Sequence, residues 1–150
     1  MALIGRIIVI FFAVMLATLA AGIAIAIGLL GPDWHGFTGD FAERTGFWVL
    51  VFFTSSFTGA VGLLPLFVFI VLAEALALRS VLIYAAAGAG ILLLGYYGAG
   101  FGNRFEESID REPPPVSREA ELAAAAGAVF GLTYWAIAGR KSGAWRRRNA

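Results

Sequence analysis

Cysteine is absent from all 150 residues, histidine occurs once, and charged side chains make up only 14% of the chain. The missing thiols exclude disulfides, thiolate catalysis and cysteine-ligated metal or iron–sulfur centres. The single imidazole, His35, stands in WHGFTGD between Asp33 and Asp40 with no second imidazole, and so reads as part of a Gly-rich loop, not a metal site. There is no nucleophile elbow, phosphate-binding loop or paired metal-binding histidines, and the apolar runs hold no acid–base pair with an obvious nucleophile. A non-enzymatic protein without a cofactor is therefore expected. No convincing internal repeat occurs either.

What the chain has instead is apolar surface. Hydrophobic residues make up 60% and the mean hydropathy is +0.84, against the roughly 45–50% usual for soluble domains. Water is not the main solvent of such a chain. Four stretches are long enough to cross a bilayer: residues 7–31, 46–73, 81–101 and 122–138. The first has 25 residues and no ionisable side chain. At about 1.5 Å per helical residue it crosses a hydrocarbon core of roughly 30 Å with some tilt, and it is too long for the apolar core of a typical signal peptide. The second contains Pro65, which predicts a kink because proline lacks an N–H and clashes with the preceding turn. Only a short turn at 78–80 separates the second span from the third, predicting a tight antiparallel hairpin with Ser80 as N-cap. Ser117 is placed to cap the fourth helix, with Glu119 and Glu121 in the first turn, where the helix dipole favours carboxylates.

The expected fold is thus an all-α integral membrane protein: one domain of four transmembrane helices in an up-down-up-down bundle, followed by a basic tail at 139–150. Basic residues set its orientation. With both termini cytoplasmic, Arg6, Arg79, Arg140, Lys141, Arg146, Arg147 and Arg148 lie inside, against Arg44, Arg104, Arg111 and Arg118 outside, which favours N-in/C-in. Nine of the ten acidic residues then fall outside, the exception being Glu74. It lies near the cytoplasmic hairpin, where a charge costs less than the roughly 2.5–3.5 kcal/mol of the membrane centre. Two roles suit it: an ion pair with Arg79, Arg6 or Arg140 that fixes the hairpin, or a proton- or cation-accepting group facing a cytoplasmic opening.

Other features bear on function. Thr54, Ser55, Ser56 and Thr58 form the densest polar cluster within any span, and could serve helix packing or line a solute path. Ala123, Gly127 and Gly131 recur at four-residue spacing on the least hydrophobic span, as do Ala13 and Ala17 on the first; small residues let helix backbones approach closely. Trp34, Trp48, Tyr96, Tyr97, Tyr134 and Trp135 are read as anchors at the headgroup level. In the tail, Trp145, Arg146, Arg147 and Arg148 form a lipid-surface anchor, at about 1 kcal/mol per basic residue near an anionic leaflet. No recognition-helix pattern accompanies them, which argues against nucleic acid.

Small multidrug-resistance transporters carry a carboxylate in the middle of the first span, and this first span has none. In general character the chain is similar to small multi-pass proteins of the bacterial inner membrane. Two functions are expected to compete. The first is an accessory, assembly or structural subunit that packs its helices against a membrane-protein partner or a second copy. The alternative is a small transporter or channel subunit using Glu74 and the Thr54–Thr58 cluster.

Overall fold

In the computed structural model, residues 3–31, 39–101 and 117–143 are described, and all regular structure among them is helical. Four α-helices follow one another: α1 (Leu3–Leu30), α2 (Phe41–Ala75), α3 (Val81–Gly98) and α4 (Arg118–Ile137). A 3-10 turn, Gly139–Lys141, follows α4. All four helices are long and apolar enough to span a membrane.

In α1 the small side chains point in and the large ones point out. Ala13, Ala17 and Ala21, one helical turn apart, are completely buried, whereas Phe11, Phe12 and Met15 are more than half exposed. A water-soluble helix would reverse this. In lipid the outer face has no reason to hide, and association rests on how closely backbones can pack.

Asp40 starts α2 by accepting a hydrogen bond from the Glu43 backbone N–H at 2.8 Å. The helix then runs 35 residues without interruption, or about 52 Å at 1.5 Å per residue. It passes through Pro65 without a break, where the carbonyl one turn back, that of Val61, loses its usual donor. Ala77, in the connection to α3, has a left-handed backbone (φ 51°), a conformation that costs a non-glycine residue about 1–2 kcal/mol. At 18 residues, α3 is about 27 Å long, roughly the hydrocarbon thickness. Ser80 occupies its N-cap position but makes no side-chain cap bond. This differs from expectation: the residue is exposed, so the first-turn donors remain open to the surroundings. Ser117 does cap α4, accepting from the Ala120 N–H at 3.2 Å.

The helices extend past the apolar runs because the caps lie in the polar flanks: α2 starts at Phe41 and α4 at Arg118. Packing centres on α4, which contacts α3 most extensively and then α1; α2 leans mainly on α1 and touches α3 less. The core joins Ala13, Ala17 and Ala21 to Leu66, Ile70, Tyr84, Phe130 and Tyr134.

The stripe on α4 meets α3. A Cβ on Gly127 would overlap the Gly88 carbonyl oxygen, one on Gly131 the Tyr84 carbonyl oxygen, and one on Gly88 the Gly127 carbonyl oxygen. The two backbones are therefore in direct contact, which accounts for the glycines on both sides of the interface.

Tyr134 requires a correction. Its ring does not face outward as an anchor would but is buried, stacked on Tyr84 with ring centroids 5.7 Å apart. The aromatic partner on α3 holds it in the core, and the neighbouring Trp135 takes the peripheral position.

Candidate functional site

One end of the bundle is drawn together by a polar knot. Glu74 lies in the last turn of α2 and Arg6 in the second turn of α1, and their side chains pair through Arg6 Nη2 and Glu74 Oε1. Arg6 Nε also donates to Oε1 at 3.1 Å. The second carboxylate oxygen accepts from the Gly143 backbone N–H at 3.1 Å, and Arg6 Nη2 donates to the Ala138 carbonyl at 2.8 Å. Both side chains are withdrawn from the surroundings, with 7% exposure for Arg6 and 14% for Glu74. A charge so placed is tolerated because each partner is neutralised and hydrogen-bonded.

The other arginines named from the sequence have different contacts. Arg79 donates through Nε and Nη2 to the Ser142 carbonyl, each at 3.3 Å. Arg140 lies over the Trp135 ring, 4.5 Å from its centroid, and the Trp135 indole N–H donates to the Arg79 carbonyl at 2.7 Å. Ser142, completely buried, donates to the Ala73 carbonyl at 2.9 Å, adding a second donor to a carbonyl in the last turn of α2 that also accepts from the Leu78 N–H at 2.9 Å. Gly143 has φ +70°, and a Cβ there would press on Ala77. The turn after α4 is thus fitted against the α2–α3 connection. Nothing in the local sequence marks Ser142 or Gly143 as partners of residues nearly 70 positions earlier.

The hydroxyl cluster lies elsewhere on α2. Thr54 precedes Glu74 by 20 residues, about 30 Å along the helix. Its Oγ1 lies 3.0 Å from the Gly22 carbonyl of α1 and 2.9 Å from the Leu50 carbonyl one turn back. Ser55 Oγ is buried against Gly22 without a hydrogen-bond partner, Ser56 is exposed, and Thr58 is buried.

Two apolar recesses flank this segment. The larger, about 790 Å³, lies between α1 and α2 and is lined by Met15, Leu19, Phe52, Ser55, Ser56 and Leu63 among others, none of them ionisable. The smaller, about 460 Å³, includes Thr54, Thr58, Tyr96, Ala123 and Glu119 in its wall. Glu74 lines neither. Ala123 thus borders a recess, whereas Gly127 and Gly131 are buried under α3.

No grouping of three or more His, Cys, Asp or Glu that could hold a metal occurs among the described residues. His35 and the tail residues Trp145, Arg146, Arg147 and Arg148 lie outside the described residues. No protein-family model, curated protein or solved structure matches this chain.

Proposed function

We propose that this chain is a non-enzymatic, multi-pass protein of the bacterial inner membrane, an up-down-up-down bundle with both termini cytoplasmic, that serves as an accessory, assembly or structural subunit. The observation that carries the reading is the separation of its polar groups. Glu74 is enclosed with Arg6, Gly143 and Ala138, while Thr54 is committed to backbone carbonyls about 30 Å away along α2. A conducting or exchanging path needs polar groups that share a water-accessible interior, and Glu74 and Thr54 are instead each engaged in contacts between the helices. Around them α1 and α2 present large apolar side chains, including Phe11, Phe12, Phe52, Phe53 and Phe67, each at least 59% exposed. Such a surface suits lipid and the helices of another subunit alike.

One observation favours the transporter alternative: the unpartnered Ser55 Oγ at the wall of the larger recess, which would suit an uncharged amphiphilic solute. Extraction in mild detergent followed by mass measurement and identification of co-purifying proteins separates the two. A companion protein or a defined homo-oligomer is the expected result. A monomer without companion that moves solute across liposomes would refute the subunit reading in favour of the transporter.

A further inference from the structure

The end of the bundle that holds the Arg6–Glu74 pair carries a second, unneutralised set of charges. Among the described residues Glu74 is the single carboxylate at this end, and it is committed to Arg6. Arg79, Arg140 and Lys141 remain, all exposed, giving a local excess of three positive charges. Trp135 organises them. Its indole N–H holds the Arg79 carbonyl at 2.7 Å, and its ring carries the Arg140 guanidinium at 4.5 Å. One indole therefore contacts both the Arg79 backbone and the Arg140 side chain, residues 61 positions apart in sequence.

The guanidinium groups keep donors to spare. Arg79 uses Nε and Nη2 for the Ser142 carbonyl, and its other terminal nitrogen has no partner among the described residues. The Arg140 guanidinium makes no hydrogen bond among the described residues. Guanidinium donors match phosphate oxygens in charge and geometry. Beside these cations Leu76 and Leu82 are 66% and 76% exposed, flanking Arg79 in the chain on its two sides. A cationic cluster, an indole of the type that settles at the membrane interface and exposed leucines together match the profile of one phospholipid molecule.

We propose that Arg79, Trp135, Arg140 and Lys141 form a headgroup site for an anionic phospholipid, with the phosphate taken up by the free guanidinium donors and the acyl chains along the neighbouring leucines. The site belongs to the folded bundle and does not depend on whether the bundle joins a larger assembly.

Native mass spectrometry of the full chain, released from vesicles containing equal amounts of phosphatidylglycerol and phosphatidylcholine, tests it. The wild-type protein should retain phosphatidylglycerol preferentially. In Arg140→Gln/Lys141→Gln, which alters exposed side chains outside the buried knot, that preference should fall about 30-fold, from about 1 kcal/mol per basic residue at 1.4 kcal/mol per tenfold. Removing the charges of Arg146, Arg147 and Arg148, which attract the tail to an anionic surface as a whole, should lessen that preference less than Arg140→Gln/Lys141→Gln does; an equal or greater loss overturns the proposal. Equal retention of both lipids by the wild type, or an undiminished preference in Arg140→Gln/Lys141→Gln, overturns the proposal. Inorganic phosphate at millimolar concentration should fail to displace the lipid because it has no acyl chains; displacement would reassign the site to a free anion and also overturn it. Circular dichroism of each variant should match the wild type, and Trp135→Phe, which keeps the ring but removes the N–H, should weaken lipid retention without altering the helical signal. Full retention in Trp135→Phe would refute the role of the indole in joining the two arginines.

Discussion

Removing Glu74 should be among the most damaging single changes available in this protein, and removing its partner as well should recover part of the loss. In Glu74→Ala, Arg6 is left 7% exposed with the Ala138 carbonyl as its remaining acceptor, and the Gly143 N–H loses its partner. Breaking a buried pair from one side costs about 3–5 kcal/mol, most of it the penalty of an uncompensated charge. Glu74→Gln should cost less, about 2 kcal/mol: the amide oxygen still accepts from Arg6, but without charge, and the amide nitrogen meets the Gly143 N–H donor to donor. Arg6→Leu/Glu74→Leu leaves neither charge stranded, so its loss should fall short of the sum of the two single leucine variants by about 2 kcal/mol or more. Reversible unfolding in mixed micelles, titrated with SDS and followed by helical circular dichroism, measures all of these. Additivity of the two leucine substitutions within about 0.5 kcal/mol would show that the groups do not act as a pair, and the account of this end of the bundle would be refuted.

The α3–α4 contact makes Gly131→Ala cost about 1–3 kcal/mol through overlap with the Tyr84 carbonyl, whereas Gly90→Ala, with open space where the methyl would go, should be neutral or stabilise by up to about 1 kcal/mol in the same unfolding titration. Ser142→Ala should lose about 1 kcal/mol by leaving the Ala73 carbonyl without its hydroxyl donor, with no change in helical content by circular dichroism. For orientation, single cysteines replacing Ser108 and Lys141 should label from opposite sides of intact membrane vesicles. Lys141 is the better reporter than its neighbour Ser142, which is completely buried, and labelling of both positions from one side would contradict the four-span arrangement.

The four helices were readable because each is an apolar run bounded by polar, glycine-rich or charged residues, and neither a run nor its boundary depends on distant parts of the chain. The Ser117 cap was readable for the same reason. The Asp40 cap carries an equally local signal, an aspartate three residues before Glu43, but it lies several residues ahead of the apolar run, whose start therefore does not mark the start of the helix. Partner choice was not readable. Arg6, Arg79 and Arg140 are chemically equivalent candidates for Glu74, and the fold selects the one 68 residues away by bringing the second turn of α1 to the end of α2. Glycine spacing on α4 signalled a close approach but could not name the helix; Gly88 of α3 supplies the answer. Tyr134 and Trp135 form an adjacent aromatic pair at the end of a span, yet one is core and the other peripheral, because Tyr84 faces the first.

The hydrogen bond from Arg6 to the Ala138 carbonyl joins residues 132 positions apart, and this separation is also an interval of time. At a translation rate of about 5–20 residues per second, the arginine exists for roughly 7–26 s before its acceptor has been made. Glu74 arrives about midway and still waits for Gly143. For that interval the first helix holds a cation whose long side chain can reach the interface, where it remains hydrated. Its full withdrawal into the protein must wait until α4 and the turn after it have been made. A nascent chain halted before α4 begins at Arg118 would therefore hold three helices and an open charged end, a state that membrane quality-control proteases could distinguish from the folded bundle.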